Sequence, residues 1–183
     1  MIKMVLIIMC KTAVLLPECL LAVHFQVSCP ANFDSWRSQF LNLILEYGTD
    51  IITYECSESS FEGYRKGLLR LPHGIDYYQK IEGYSEHCEL LAARTYEKIN
   101  AMSVAGYQIL AIVGIENSPS CSVNYMYTHH GMQKRPGIFM NALKECLYEE
   151  ENSIPYIGIN RRYPRKALEG LKRILQKSYV KEE

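Results

Sequence analysis

The sequence has no excess charge of either sign: 20 Lys and Arg balance 20 Asp and Glu over 183 residues. Without a bulk positive field it lacks the electrostatic footprint of a protein that coats nucleic acid or adheres to acidic membranes. No apolar run approaches the ~18 residues of a membrane span. Neither a Gly-rich phosphate loop nor a G-x-S-x-G nucleophile elbow is present, which removes two common routes to hydrolytic chemistry. There is no internal repeat, low-complexity tract or linker, so residues 1–183 read as a single domain. Apolar residues are 48% of the chain and charged ones 22%, which excludes intrinsic disorder.

Against that background two residue types are abundant. Tyrosine occurs 14 times beside a single tryptophan, and there are seven cysteines, at positions 10, 19, 29, 56, 88, 121 and 146. An odd number of widely spaced cysteines is not the framework of a small disulfide-stapled secreted domain. It suits a reduced, cytoplasmic protein. The N-terminus offers a competing reading, since the apolar run Met4–Met9 after Lys3 resembles a leader. Lys11, Pro17 and Glu18 interrupt that pattern, and a lipoprotein reading at Cys29 meets Gln26 where an aliphatic residue is wanted. The segment is expected to be a buried first strand, with Cys10 immediately after it.

Downstream, helix and strand signals alternate. Helical spacing covers Ser35–Glu46, Glu86–Ala105, Gly137–Glu149 and Pro164–Lys177; strands are expected at Asp50–Tyr54, Ile109–Ile115 and Ile154–Ile159. Residues 55–84 and 116–134 read as loop-rich. The expectation is an α/β fold: a single-domain, Rossmann-like, doubly wound, mostly parallel sheet flanked by helices.

Cys10, Cys56 and Cys121 each fall after an expected strand. In an open parallel sheet the loops after the strand carboxyl ends converge where ligands bind, so these three thiols are candidates for one pocket. Sulfur donors suit zinc, copper(I) or iron–sulfur clusters, and three protein ligands leave a position open. Buried cysteine is equally at home as a small hydrophobe, and no pair forms a CxxC signature.

The segments Tyr54-Glu55-Cys56-Ser57-Glu58 and Gly114-Ile115-Glu116-Asn117-Ser118-Pro119-Ser120-Cys121, with Gly63, Arg65, Arg70 and Pro136-Gly137-Ile138-Phe139, resemble the TudS-like thiouracil desulfidase family over about Cys10 to Ile159. The resemblance implies a [4Fe-4S] cluster on Cys10, Cys56 and Cys121 whose remaining iron takes the sulfur of a thiolated substrate. It also implies that Glu58 handles protons and that Ser118 lies near the substrate. The chain departs from the family pattern at Lys11-Thr12-Ala13 (usually a Leu-containing turn), at Ser57 (often Pro) and at Ser122 (commonly Gly).

Other candidates are weaker. Adjacent His129 and His130 do not readily face one zinc ion, and His73 and His87 read as surface or helix-start residues. Arg65, Lys66 and Arg70, like Arg161, Arg162, Arg165 and Lys166, read as solvated faces or anion clamps. The resulting expectation is an iron–sulfur desulfidase acting on a small thiolated compound, with no nucleic-acid or membrane partner. The alternative is a non-catalytic α/β module that holds metal, cluster or nucleotide.

Overall fold

The computed structural model describes residues 11–22, 33–61, 74–148 and 154–179. Six strands and six helices run along it in chain order: β1 (Lys11–Pro17), α1 (Phe33–Glu46), β2 (Asp50–Tyr54), α2 (Ser57–Ser60), α3 (Ile75–Tyr78), α4 (Tyr84–Val104), β3 (Tyr107–Ile115), β4 (Tyr125–Thr128), β5 (Gly131–Lys134), α5 (Ile138–Cys146), β6 (Tyr156–Ile159) and α6 (Arg165–Tyr179). A four-stranded sheet in the order β2-β1-β3-β6 is parallel throughout, and β4 and β5 form a separate antiparallel hairpin. This is the expected Rossmann-like α/β architecture.

The two central strands are the most apolar, because a parallel strand covered on both faces has no solvent side. Ala13, Val14, Leu15 and Leu16 of β1 and Ala111, Ile112 and Val113 of β3 are wholly buried. α1 packs with α6 and α4 with α5, so with the right-handed crossovers that parallel strands favour the two pairs cover opposite faces of the sheet. Trp36, Phe40 and Ile44 of α1, Leu171 and Leu175 of α6, and Leu91, Phe139, Met140 and Leu143 of α4 and α5 fill the two layers. From β1 the chain turns outward to β2, whereas from β3 it turns the opposite way to β6. The topological switch point therefore lies between β1 and β3, and their carboxyl ends frame a crevice there.

Two expectations need revision. The strand that enters the sheet is Lys11–Pro17, built on the second apolar run, whereas Met4–Met9 and Cys10 lie outside the described residues. Cys10 thus precedes β1 in sequence. Its neighbour Lys11 pairs with Tyr107 at the amino end of β3, roughly 20 Å along the strand from Pro17 at ~3.3 Å per residue. The expected loop at 116–134 contains the β4–β5 hairpin, in which Met126 alone of the eight strand residues is buried. No helix among the described residues is long and apolar enough to cross a membrane.

Candidate functional site: thiols at the carboxyl edge of the sheet

With β1 ending at Pro17, the cysteine that follows it is Cys19. Proline cannot donate to a further ladder bond, and the chain turns at once into a single 3-10 turn, Glu18–Leu20. Leu21 and Ala22 donate their amides to Glu18 O at 2.9 Å, and Arg37 Nη1 from α1 donates to Leu20 O at 3.3 Å and Leu21 O at 3.2 Å. Cys19 is thereby held buried at the sheet edge.

The second cysteine opens α2. Cys56 O accepts the amides of Ser59 and Ser60 at 3.0 Å and their hydroxyls at 3.0 and 3.1 Å, which closes a tight turn. That turn is tied to α4 by Ser57 Oγ against Tyr84 Oη at 3.2 Å and Ser60 Oγ against His87 Nε2 at 2.8 Å. Glu58, two residues on, points toward the loop after β3.

This third loop folds back over the sheet. Ser118 Oγ accepts the amides of Ser120 (3.3 Å) and Cys121 (3.2 Å) and donates to Glu58 Oε1 at 2.9 Å; Ser120 Oγ donates to the same oxygen at 2.9 Å. The first amides of α5 lack intrahelical partners, as at every helix start. Here the loop supplies them: Gly137 N donates to Ser122 O at 2.9 Å, Ile138 N to Pro119 O at 2.9 Å and Met140 N to Ser120 O at 3.0 Å. Two glycines make the fold-back possible, since a Cβ at Gly137 would collide with the Ser120 carbonyl and one at Gly114 with the Cys121 carbonyl.

Electrostatics place the three thiols in one field. Cys19 holds its proton well above the usual thiol range because it is hydrogen-bonded to Cys56 and buried, with the charge of Cys121 adding to the effect. The same bond lowers Cys56, against burial. Burial pushes Cys121 up to about 12, opposed by the Ser118 hydroxyl. Tyr54, buried and donating to Val113 O at 2.7 Å, is raised by burial and by the charges of Cys121, Cys19 and Cys56. Burial also raises Glu58, partly offset by the Ser118 and Ser120 bonds and by the positive charge of Arg161 in the turn after β6.

Cys56, Cys121, Glu58 and Ser118 thus lie in one network of hydrogen bonds and electrostatic contacts, to which Cys19 and Ser120 also belong. Cys10, Arg65, Arg70 and His73 lie outside the described residues. His129 is engaged by Asp76, at 3.1 Å from its side chain and 2.7 Å from its amide, on the exposed hairpin. Cys88 is fully buried in α4, pushed up to about 11 by burial. Among the described residues no three His, Cys, Asp or Glu side chains are arranged to hold a single metal ion. A cluster makes a different demand, because each of its irons takes its own thiolate, so the ligands need not converge on one point. The donor set of three soft sulfurs on three separate loops fits such a group. Comparison with family models, with curated proteins and with solved structures finds no match.

Proposed function

We propose that this protein is an iron–sulfur-dependent desulfidase that removes sulfur from a small thiolated compound of the thiopyrimidine type. Cys19, Cys56 and Cys121 would hold a [4Fe-4S] cluster, with Cys19 replacing Cys10 in the ligand set read from the sequence. The observation that supports this reading is that thiols from three strand ends perturb one another's ionisation beside a carboxylate that takes two hydroxyl bonds on one oxygen. When bound, the cluster supplies a thiophilic iron without a protein ligand that draws electron density from a C=S carbon.

The chain's own residues do the rest. Glu58, raised by burial toward the range useful for proton transfer, takes a proton from the attacking water and returns it to the departing sulfide. A C–O bond forms and the C–S bond breaks, so thiocarbonyl and water become carbonyl and hydrogen sulfide. Ser118 and Ser120 fix the carboxylate: with Oε1 saturated by their hydroxyls, Oε2 is the oxygen left to face water. Tyr54, whose ionisation the three thiols perturb, stacks on Phe139 at 4.8 Å, so the site backs onto apolar core. Seven cysteines and an oxygen-sensitive centre suit the cytoplasm.

Sulfide release from thiolated bases by anaerobically reconstituted protein tests the reading. Release that depends on Glu58 supports an enzyme. Retention of the cluster without release by either wild type or Glu58→Gln supports the non-catalytic module instead.

A further inference from the structure

We infer that Glu116 is the positioning residue of this site: its carboxylate, seated in the sheet against Gly158, fixes the loop that presents Ser118, Ser120 and Cys121. The inference rests on the desulfidase reading only for what the loop does once it is placed.

Glu116 is the first residue after β3 and is only 7% exposed. A buried carboxylate is costly unless several donors satisfy it. All of its side-chain donors come from the four residues that follow Cys121. Oε2 accepts Ser122 Oγ at 2.8 Å, Asn124 N at 3.2 Å and Tyr125 N at 3.0 Å; Oε1 accepts Asn124 Nδ2 at 2.7 Å. The backbone repeats the tie, with Glu116 N donating to Ile159 O at 2.9 Å and Asn117 N to Tyr125 O at 3.0 Å. The two ends of the 117–125 segment are therefore joined through one side chain, and Ser118, Ser120 and Cys121 lie between them. Asn117, with φ 65°, makes the sharp departure from the strand that this closure requires.

The neighbouring strand has been left open for that carboxylate. A Cβ at Gly158 of β6 would coincide with Glu116 Oε1. Lys144 Nζ of α5 donates to Val123 O at 3.0 Å, a further tie on the same loop. Removing the acceptor capacity of Glu116 strands two backbone amides and an amide side chain, and the simplest relief is for residues 118–124 to lift off the sheet.

The test uses two variants that attack one contact from opposite sides. Glu116→Gln keeps the shape but removes an acceptor oxygen; Gly158→Ala displaces the carboxylate without altering it. In metal-free protein, alkylation of Cys121 by iodoacetamide, followed residue by residue by mass spectrometry, is expected to rise at least tenfold in each variant. Cys88, buried in α4 outside the loop, is expected to stay at its wild-type rate. Unchanged Cys121 reactivity in the variants, or acceleration of Cys88 to the same degree, overturns the inference. In reconstituted protein, sulfide release per bound cluster is expected to fall in both variants, a normalisation to iron content that removes any loss of folded protein from the comparison. Because alkylation needs no cluster, a wild type that binds no iron would sink the desulfidase reading while the Cys121 result still decides the role of Glu116.

Discussion

Cys19 donates a hydrogen bond to Cys56 across the gap between the ends of β1 and β2, which raises the pKa of the Cys19 thiol and lowers that of Cys56. The acceptor sulfur is the better thiolate and the donor the poorer, the asymmetry expected when burial forbids two adjacent charges. Alkylation at pH 8 is therefore expected to reach Cys56 before Cys19, Cys88 or Cys121, since the thiolate is the nucleophile. Replacing Cys19 by Ala removes the donor and is expected to slow Cys56 about fivefold, as its thiolate fraction falls. Faster labelling of Cys56 in that variant would contradict the assigned direction of the bond.

Glu58→Gln keeps an oxygen for both serine hydroxyls and discards the charge. Burial raises this carboxyl above its ordinary range, so the folded state binds its proton more tightly than the unfolded chain and stability falls as pH rises through that window. The metal-free variant is thus expected to melt no lower than wild type at pH 8. Sulfide release should drop by about 10²–10⁴, the usual contribution of a proton-transfer group. A variant that loses its fold instead would show that the carboxylate is structural.

Tyr54 is buried, and its hydroxyl donates to Val113 O at 2.7 Å. Tyr54→Phe is expected to cost about 1 kcal/mol by urea denaturation, the net worth of such a bond. For a chain of this size that lowers Tm by about 2–4 °C. No change in the urea midpoint would mean that the bond contributes nothing.

His87 supplies a pH dependence independent of the thiols. Its ring meets Ser60 Oγ at 2.8 Å, and burial lowers its pKa below the ordinary histidine value, with Glu55 opposing the shift and Arg94 adding to it. A histidine depressed in the folded state is neutral in both states above pH 6.5. Below that the unfolded chain takes up the proton first, so stability is lost as pH falls. Thermal melts between pH 7 and 5 should therefore decline more steeply for wild type than for His87→Gln. Parallel declines would remove His87 as the cause.

Much of the scaffold is legible from residue pattern alone. β3 reads correctly because a strand covered on both faces is an unbroken apolar run, and α4 because its buried positions recur at helical spacing with Gly106 beyond its end. β1 is where pattern fails. Met4–Met9 and Ala13–Leu16 are both short apolar runs, and hydropathy carries no information on which one pairs with Asp50–Tyr54. Choosing the earlier run assigns Cys10 to the carboxyl edge, and choosing the later one assigns Cys19; Pro17, a natural stop before a turn, is the signal that favours the second. The role of Ser120 had no local signature at all, because it depends on α5 amides holding the loop 116–124 against the sheet. The β4–β5 hairpin was hidden for a related reason: with only Met126 buried, its alternation is too short to register.

The most direct measurement is iron and acid-labile sulfide on anaerobically reconstituted wild type and on Cys10→Ala, Cys19→Ala, Cys56→Ala and Cys121→Ala. The account predicts about four irons per chain in wild type and in Cys10→Ala, as a [4Fe-4S] cluster requires, and loss of iron in the other three. Retention of iron by Cys19→Ala together with its loss in Cys10→Ala would contradict the ligand set, and a wild type that binds no iron would contradict the cluster itself.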